Sequence, residues 1–408
     1  MKTLWIMNHY AQEPGGTIGR TGHYALAKYL REYGWNTLII ASSVEHNSGR
    51  QRLRKQESFR LDTYDGVRFL WLRTPQYVGN GARRVLNMLS YAVRAFCHRY
   101  SNQSVRPDLI IGTTLHPLAA FVAAKLAERY KVPFIFEVRD LWPQTLIDMG
   151  RISADGIQAS LLRRLEKWLC LRASRIITVL PKASEYLKSF GVKAENIIWL
   201  PNGVDLRDFP SPPPPKEKDT FDLMYFGAHG TANGLENLLR AMEILERRVH
   251  AKPVRLRLIG DGPLKEHLIK LARTLGLKSV VFEPPVPRSQ IPSVAMDADA
   301  FVFNLIDLPV FRFGISSNKL FDYMAGARPI LFCSNAANNP IQEADAGVTV
   351  QPDEPKELAH AIERLLDRPR DERSRMGQNA RRYVEQHYDY ASMAQKLSVL
   401  LNEVVQSA

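Results

Sequence analysis

Two successive blocks of alternating strand and helix patterns constrain the fold of this 408-residue chain more than any other feature. In the first block, apolar runs such as Thr3 to Asn8 and Leu109 to Gly112 alternate with helical patterns such as Pro117 to Tyr130. Four prolines at 212–215 interrupt the alternation, because a proline run holds neither a helix nor a central strand. The alternation restarts with the strand pattern Phe221 to Phe226, which indicates a second domain.

Alternation of this kind predicts parallel sheets with helices on both faces. We therefore predict an α/β protein with two Rossmann-like, doubly wound domains that face a cleft. The predicted N-terminal domain comprises residues 1–205 and the predicted C-terminal domain comprises residues 206–385. Residues 386–408 are predicted to form a helix that packs back toward the N-terminal domain. Ligands of such sheets bind beyond the carboxyl ends of the strands.

The net charge of +13 is concentrated in the first half of the chain. Residues 1–210 carry 30 Lys and Arg against 17 Asp and Glu, whereas residues 211–408 carry 25 of each. Nucleic acid or an anionic membrane surface would explain the excess, and a solvated basic surface is the alternative. The helical pattern Arg83 to Tyr100 mixes basic, aromatic and apolar residues. It fits an interfacial membrane helix and equally fits a core-packed helix with a solvated face.

Several classes of protein and site are not favoured. No apolar run approaches the roughly 20 residues of a membrane span, and the first apolar stretch is too short for a signal peptide. The three cysteines lack metal-ligand spacing and fit a reducing, cytoplasmic setting. Asp297-Ala-Asp299 has the form of a metal-binding motif, but it precedes the strand Ala300 to Asn304, near the wrong end of a sheet. We expect no metal ion and no other cofactor.

A short helix that begins near Ser317 is the clearest candidate binding site. Ser317 and Asn318 are N-cap residue types, and the free N–H groups of a helix N-terminus attract anions. Lys319 places a cation where it opposes the helix dipole, which suggests an external anion. Asp322 lies on the same face and would face sugar hydroxyls, so the segment suits a nucleotide-sugar. The alternative is an ordinary capped helix with a surface Lys–Asp pair.

Glycine-rich loops follow the first strand of each predicted domain. The first contains Gly15 and Gly16, and the second runs from Gly227 to Gly234 and includes Asn233. Glycines let backbone N–H groups approach a phosphate closely. A flexible strand-to-helix loop is the alternative for both.

Charged and polar residues also follow two strands of the first block. Glu137, Arg139 and Asp140 end the strand Pro133 to Val138, and His116 follows the preceding strand. We predict that Asp140, with Arg139 or His116, positions the acceptor or transfers a proton. A structural salt bridge is the alternative for the charged group.

The ordered motifs resemble glycosyltransferase family 4, whose members are retaining enzymes with the GT-B fold. Five segments carry the resemblance: the Gly15-Gly16 loop, Ala25-Leu-Ala-Lys-Tyr-Leu30, Pro201-Asn-Gly-Val-Asp205, Leu258-Ile-Gly-Asp-Gly-Pro263 and Asn318-Lys-Leu-Phe-Asp-Tyr-Met-Ala-Gly326. The segment Glu137-Val-Arg-Asp-Leu-Trp-Pro143 and the Ser-Ser-Asn-Lys run look like the branch that makes bacterial O-antigen and capsule, such as N-acetylfucosamine transferases.

The resemblance implies roles for individual residues. Gly15 and Gly16 would face the donor diphosphate, and Asp322 matches the second glutamate of the family's Glu-x7-Glu motif, which binds the ribose. The first glutamate has no clear match. His229 and Asn233 stand where the family usually has Arg and Lys, so Arg312 and Lys319 are predicted to supply the missing positive charge.

We therefore expect sugar transfer, with anomeric retention, from a UDP-linked N-acetylhexosamine or deoxy-N-acetylhexosamine to a polyprenyl-diphosphate-linked saccharide. We expect the enzyme to be peripheral on the inner face of the cell membrane and not to bind nucleic acid. A carboxylate nucleophile is the simple expectation for retention, and no residue stands out for that role. A UDP-sugar epimerase of the same fold and, more distantly, a nucleic-acid-binding protein are the alternatives.

Overall fold

The computed structural model describes residues 1–15, 22–46, 48–79, 81–100, 106–210, 212–213, 218–248 and 252–407. The chain divides into two compact units. Unit 1 comprises Met1–Asn202 and Tyr390–Ala408, and unit 2 comprises Gly203–Asp389. Each unit contains one sheet with helices around it, which confirms the predicted class of two doubly wound α/β domains. Among the described residues, no helix is both long enough and apolar enough to cross a membrane.

Unit 1 is built on an eight-stranded sheet. Its strands are β1 (Lys2–Met7), β2 (Trp35–Ser42), β3 (Phe59–Tyr64), β4 (Val67–Leu72), β5 (Leu109–Thr113), β6 (Phe134–Val138), β7 (Arg175–Thr178) and β8 (Ile197–Trp199). Its helices are α1 (Gly22–Leu30), α2 (Ala82–Cys97), α3 (Pro117–Tyr130), α4 (Gln144–Asp148), α5 (Ile157–Arg172), α6 (Ala183–Lys188) and α14 (Tyr390–Gln406).

The strand order of unit 1 is β3-β4-β2-β1-β5-β6-β7-β8. All neighbouring strands are parallel except β3 and β4, which form an antiparallel pair at the edge. The order reverses between β1 and β5, and ligands of doubly wound sheets bind at such a switch point. The carboxyl ends of β1 and β5 therefore mark where a site of unit 1 is expected.

The sequence interpretation missed β3, α4 and α6. Strand β3 lies at the edge of the sheet and none of its residues is buried, so it lacks the continuous apolar run of a central strand. The Asp65-Gly66 dipeptide between β3 and β4 is a typical hairpin signal that would have identified this strand. Helices α4 and α6 have only five and six residues, which is too short for a recognisable helical period.

Helix α14 contributes to the core of unit 1. Met393, Leu397 and Leu401 on this helix belong to the same buried apolar cluster as Tyr24 of α1 and Trp35 of β2. The two tryptophans of this cluster, Trp35 and Trp71, are fully buried. The last helix of the chain thus covers apolar surface of unit 1, although about 190 residues of unit 2 separate it in sequence from the rest of that unit.

Unit 2 is built on a six-stranded parallel sheet. Its strands are β9 (Phe221–Phe226), β10 (Val254–Ile259), β11 (Val280–Glu283), β12 (Ala300–Asn304), β13 (Ile330–Cys333) and β14 (Gly347–Val350). Its helices are α7 (Leu235–Glu246), α8 (Lys265–Thr274), α9 (Ile291–Met296), α10 (Asn318–Ala325), α11 (Pro340–Glu343), α12 (Pro355–Asp367) and α13 (Arg370–His387). The strand order is β11-β10-β9-β12-β13-β14, so the switch point lies between β9 and β12.

Candidate functional site

The loops after β9 and β12 and the start of helix α10 meet at the carboxyl edge of the sheet in unit 2. The side chain of Asn304, the last residue of β12, donates to the backbone carbonyls of Asn233 and Gly234 at 2.9 Å each. Asn233 in turn accepts a hydrogen bond from Lys319 of α10. These contacts join the three predicted donor-binding segments at the switch point of the sheet.

Lys319 is held by polar and aromatic groups of this loop region. Besides its bond to Asn233, its ammonium nitrogen lies 3.2 Å from the Tyr225 hydroxyl. The same nitrogen lies 4.7 Å from the centroid of the Tyr225 ring and 5.0 Å from that of Phe303. Burial lowers the pKa of Lys319 to about 7. No carboxylate pairs with Lys319 among the described residues, so its charge is balanced only by dipoles and aromatic faces.

The glycine loop after β9 lies against Lys319 and against the turn after β10. A Cβ atom on Gly227 would lie 3.2 Å from Cδ of Lys319. A Cβ atom on Gly260 would lie only 2.0 Å from the carbonyl oxygen of Gly227, and one on Gly262 would lie 2.6 Å from that of His229. The Leu258–Pro263 turn therefore needs its glycines so that two backbone segments can approach each other.

His229 occupies the centre of this packing. The residue is fully buried, and neither ring nitrogen has a hydrogen-bond partner among the described residues. Burial lowers the pKa of His229 to about 4, and the charges of Lys265 and Lys319 act in the same direction while Asp261 opposes them. The ring is therefore neutral near pH 7 and does not supply the positive charge of the arginine that the family usually has there.

The N-terminus of α10 lies where the sequence predicts it. Ser317 is the N-cap residue and has extended backbone angles, but its side chain makes no capping hydrogen bond. Asn318 is exposed in the first turn. In the first turn the Leu320 N–H donates to the Ser317 carbonyl at 3.1 Å, and the Ser317 side chain caps none of the first-turn N–H groups.

Asp322 is bound to an arginine rather than to Lys319. Its carboxylate is buried, 2% exposed, and both oxygens bind the guanidinium of Arg288, one of them at 2.5 Å. Arg288 lies in the loop between β11 and α9, and its side chain is 28% exposed. Burial raises the pKa of Asp322, although Arg288 opposes that shift. The surface Lys–Asp pair of the alternative interpretation does not form, because Lys319 and Asp322 contact different partners.

Arg312 lies beside the site and is exposed. Its guanidinium donates to the Pro309 carbonyl at 2.6 Å and lies 4.4 Å from the centroid of the Phe313 ring. These contacts fold the side chain onto its own short helical turn. Its predicted contact with a donor phosphate remains a prediction.

In unit 1, the predicted charged group after β6 forms a buried network. Glu137 accepts hydrogen bonds from His23 at 2.6 Å and from Arg139 at 3.2 Å. Burial would raise the pKa of Glu137, but His23 and Arg139 lower it to about 2. Arg139 also donates to Asn202 at 2.5 Å. The ion pair considered in the sequence interpretation therefore exists, and it occupies both Glu137 and Arg139.

Asp140 and His116 lie at the ends of adjacent strands. The Thr114 hydroxyl lies 3.2 Å from the Asp140 carbonyl and accepts from the Arg139 amide at 3.0 Å, so it joins the two strand ends. Burial raises the pKa of Asp140, and Arg139 opposes that shift. His116 is 2% exposed, and burial together with the charge of Arg84 lowers its pKa to about 3. The structure shows no direct contact between Asp140 and His116 in the described ranges.

The first glycine loop is described only in part. Gly15 is exposed, has φ of +84°, and has open space around the position of a Cβ atom. Gly16 lies outside the described residues.

The Asp297-Ala-Asp299 motif has a structural role. It lies at the amino edge of the sheet in unit 2, opposite the donor-binding segments. The Asp299 carboxylate accepts from the backbone N–H of Asp222 at 2.8 Å and faces the ammonium of Lys218 at 3.5 Å. Within the described ranges, no group of three or more His, Cys, Asp or Glu side chains could hold a metal ion.

Sequence reasoning missed the residues that support the predicted site. Tyr225 and Arg288 contact Lys319 and Asp322 from distant parts of unit 2, and no local pattern marks them. His23 and His9 in unit 1 lie near the glycine loop and β1. The position of His9 just after the buried strand β1 was a usable signal, because side chains there face the carboxyl edge of the sheet.

Two family models match the chain. One described as "Glycosyl transferase 4-like domain" matches residues 19–203, and one described as "Glycosyl transferases group 1" matches residues 220–368. The probable glycosyltransferase WbjE of Pseudomonas aeruginosa is 22% identical over 96% of each chain. The putative colanic acid biosynthesis glycosyl transferase WcaI of Escherichia coli strain K12 is 23% identical over 73% of this chain and 75% of its own.

Solved structures are similar over nearly the whole length. Sucrose-phosphate synthase from Thermosynechococcus elongatus has a TM-score of 0.75 at 15% identity and covers 100% of both chains. Anabaena Alr3699/HepE in complex with UDP and glucose has a TM-score of 0.67 at 16% identity, over 98% of this chain and 99% of its own. At this identity the likeness concerns the fold, and the two family models span most of both units. The chain therefore belongs to glycosyltransferase family 4, with the GT-B type of fold.

Proposed function

We propose that this glycosyltransferase moves a sugar from a UDP-sugar to a lipid-diphosphate-linked saccharide in the synthesis of a bacterial surface polysaccharide. The observation that carries the donor assignment is Lys319, a cation at the N-terminus of α10 that has no carboxylate partner among the residues described. The names of WcaI, linked to colanic acid, and of the HepE complex with UDP and glucose support the same class of reaction. A UDP-linked N-acetylhexosamine or its deoxy form remains our choice of donor.

The chemistry expected of this site is stabilisation of the leaving diphosphate. Negative charge builds on the β-phosphate as the bond to the sugar breaks, and the Lys319 ammonium and the first-turn N–H groups of α10 are fixed donors for it. Arg288 and Asp322 form one ion pair, in which the side chain of Arg288 is the more exposed member, at 28% against 3%. We propose that this pair, rather than the carboxylate alone, contacts the nucleoside. Retention of anomeric configuration is part of the proposal.

A screen of nucleotide-sugars by thermal unfolding tests the donor assignment. UDP-sugars are expected to raise the melting temperature more than ADP- or GDP-sugars at the same concentration, because a ligand that binds only the folded state stabilises it by mass action. Equal shifts with all nucleotides would contradict the UDP preference. Absence of any shift at millimolar concentration would contradict a nucleotide-sugar site.

Donor binding is expected to weaken as the pH rises from about 6 to about 8. The pKa of Lys319 is about 7, so the ammonium form predominates below pH 7 and about a tenth of it remains at pH 8. The apparent affinity scales with the binding-competent fraction, so it should fall about tenfold, while the diphosphate of a UDP-sugar does not titrate in this range. Calorimetric titrations of UDP-N-acetylglucosamine at several pH values measure this. Lys319→Arg is the control, because arginine stays charged and its profile should be flat.

The membrane part of the proposal rests on helix α2. Its inner side buries Asn87, Tyr91 and Ala95, so the opposite side faces away from the core. That outer side carries an apolar stripe, which we define as Val85, Leu86, Leu89, Val93 and Phe96, all between 39% and 62% exposed. At about 100° per residue these five side chains share an arc of about 100°.

Basic residues flank the apolar stripe. Arg83 and Arg94 are exposed on the same helix, and Arg129 of α3 lies 4.3 Å from the centroid of the Phe96 ring. An exposed apolar face bordered by cations matches an anionic membrane interface better than it matches water. The core-packed helix with a solvated face, which the sequence raised as the alternative, accounts for the buried inner side of α2, and we assign the exposed apolar outer side to the membrane. We propose that the apolar stripe holds the enzyme at the membrane that contains the lipid-linked acceptor.

Vesicle sedimentation tests the apolar stripe. Replacing Leu89 and Val93 together with Glu is expected to weaken binding to vesicles that contain phosphatidylglycerol by at least about tenfold, because two inserted apolar side chains are lost and two charges are repelled. Both residues are well exposed, so the fold should persist. Val399→Glu, at a 55% exposed position of α14, is the control and should bind as the wild type does. Unchanged binding of the double variant would refute the proposed docking surface.

A further inference from the structure

Two buried histidines lie at the switch point of the sheet in unit 1. His9 follows β1 and His116 follows β5, and each is 2% exposed. Nδ1 of His9 forms a hydrogen bond with Nε2 of His116, although 107 positions separate them in sequence. The His9 ring is stacked between the rings of Tyr10 and Tyr91, whose centroids lie 4.4 and 4.6 Å away. Stacking and burial therefore fix the orientation of His9.

The direction of the hydrogen bonds follows from Asn87 of α2. Its side-chain amide nitrogen donates to the carbonyl oxygen of Pro75 at 2.7 Å, and a carbonyl can only accept. The amide oxygen of Asn87 must then be the atom that faces Nε2 of His9 at 2.6 Å. Because this oxygen also only accepts, the proton of His9 is on Nε2.

The proton of His116 follows from the same reasoning. Burial is the main cause that lowers the pKa of both histidines, and the charge of Arg84 acts in the same direction, so each ring carries a single proton near pH 7. Nδ1 of His9 therefore accepts, and Nε2 of His116 donates to it. Nδ1 of His116 is left with a lone pair and no proton.

That lone pair has no donor in the described part of unit 1. Nδ1 of His116 is buried and has no hydrogen-bond partner among the described residues. His116 is the N-cap residue of α3, yet its side chain makes no capping hydrogen bond, so the helix does not use this atom either. A buried acceptor without a donor is unusual in a native protein and indicates a position for a bound donor group.

We propose that Asn87 and His9 are positioning residues that keep the proton of His116 on Nε2, so that Nδ1 accepts a hydrogen bond from a hydroxyl group of a bound sugar. The proposal rests on the proposed function, because a sugar must bind next to unit 1. The donor sugar and the acceptor saccharide both offer such a hydroxyl. In the other tautomer His116 would present an N–H group, which cannot accept from a hydroxyl, and an imidazole held in the wrong tautomer loses its function even when its position is kept.

Nitrogen NMR of the full chain, labelled with ¹⁵N-histidine, tests the proposal without any change to the site. The two nitrogens of a neutral imidazole have distinct shifts, and the His116 signals are assigned by their loss in His116→Gln. We expect the proton on Nε2 in both His9 and His116 at pH 7. A proton on Nδ1 of His116 overturns the proposal.

Additions to the same sample distinguish the two sources of the hydroxyl. The first ligand added is UDP-N-acetylglucosamine, and the second, in a separate sample, is a short-chain polyprenyl-diphosphate-linked N-acetylglucosamine. UDP without a sugar is the control. A shift of the His116 Nδ1 signal with one sugar ligand, and not with UDP, supports the proposal and identifies the ligand whose hydroxyl group donates to His116. Binding is verified separately by thermal unfolding. Ligands that bind without moving this signal overturn the inference, whereas ligands that do not bind speak against the proposed function.

Asn87→Ala provides the kinetic test. Without the Asn87 oxygen, the proton of His9 is free to move to Nδ1 and that of His116 follows, so we expect a new Nδ1–H signal and a transfer rate lowered at least about tenfold. Tyr100→Phe is the matched control, because it removes another buried hydrogen bond of the α2 region, from the Tyr100 hydroxyl to the Ala95 carbonyl at 2.7 Å. It should keep the transfer rate within about twofold. If Asn87→Ala lowers only the melting temperature and keeps both the tautomer and the rate, the positioning role is refuted.

Discussion

Replacing Lys319 with methionine is expected to lower the rate of sugar transfer by about a hundredfold while unit 2 stays folded. The ammonium of Lys319 is a fixed cation at the N-terminus of α10 and has no carboxylate partner in the described part of the chain. Removal of one such preorganised group commonly costs two to three orders of magnitude in turnover. Methionine retains the apolar stem beside Tyr225 and Phe303, so the packing is preserved.

The stability of Lys319→Met should equal or exceed that of the wild type. In the wild type, the folded-state pKa of Lys319 is lowered to about 7. Between pH 7 and the ordinary lysine pKa, the unfolded wild-type chain therefore binds more protons than the folded protein, and the stability of the wild type rises with pH. Below pH 7 the folded protein carries a partly buried ammonium, which methionine avoids. Lys218→Met is the control. This lysine binds Asp222 at 2.9 Å at the opposite edge of the same sheet, and its loss should leave turnover nearly unchanged. Near-normal turnover of Lys319→Met would contradict the donor assignment.

Arg288→Met is expected to lower the free energy of unfolding by about 3 kcal/mol at pH 7, because it leaves the Asp322 carboxylate buried without its partner. The pKa of Asp322 is already raised by burial and should rise further in the variant. A raised folded-state pKa means that stability is lost as the pH rises above the unfolded value, so the loss should be smaller near pH 5 than at pH 7. Urea unfolding at both pH values measures it.

The double variant Arg288→Met/Asp322→Leu separates stability from binding. Replacing both members of a buried ion pair by apolar residues is often nearly neutral, so the double variant should regain most of the lost stability. It should still not bind a UDP-sugar, because the guanidinium is gone. A double variant that regains both stability and donor binding would show that the pair serves the fold alone.

The strands of the two sheets could be predicted because most of them are continuous apolar runs. In β9 every residue is buried, and the predicted bounds of β9 and β12 agree with the structure. Strand β3 was not predicted from the sequence, and none of its residues is buried. A continuous apolar run decided which strands were visible in the sequence, and β3 lacks one because Arg60 and Asp62 interrupt it.

The candidate site could be predicted only as far as local features reach. The N-terminus of α10 and its cation follow from cap residues and the helix dipole, which are properties of neighbouring residues. The partners of the site are not local: Arg288 is 34 positions from Asp322, Tyr225 is 94 from Lys319, and His9 is 107 from His116. Those contacts arise from the strand order, which a single sequence does not specify.

Tertiary packing shows which side of α2 belongs to the core. The sequence allowed either a core helix or a membrane helix, because apolar residues occur on two sides of it. The structure uses one side, with Tyr91 and Ala95, for the core and leaves the apolar stripe exposed. A helical period alone does not tell which apolar face is covered.

The central claim is tested most directly by incubating the protein with radiolabelled UDP-sugars, with and without a polyprenyl-diphosphate-linked saccharide in phosphatidylglycerol vesicles. We predict a lipid-linked product extended by one labelled sugar, with the anomeric configuration of the donor, formed only when both substrates are present. An isomerised UDP-sugar in the absence of the lipid, or no labelled lipid with any UDP-sugar that binds, would contradict the account.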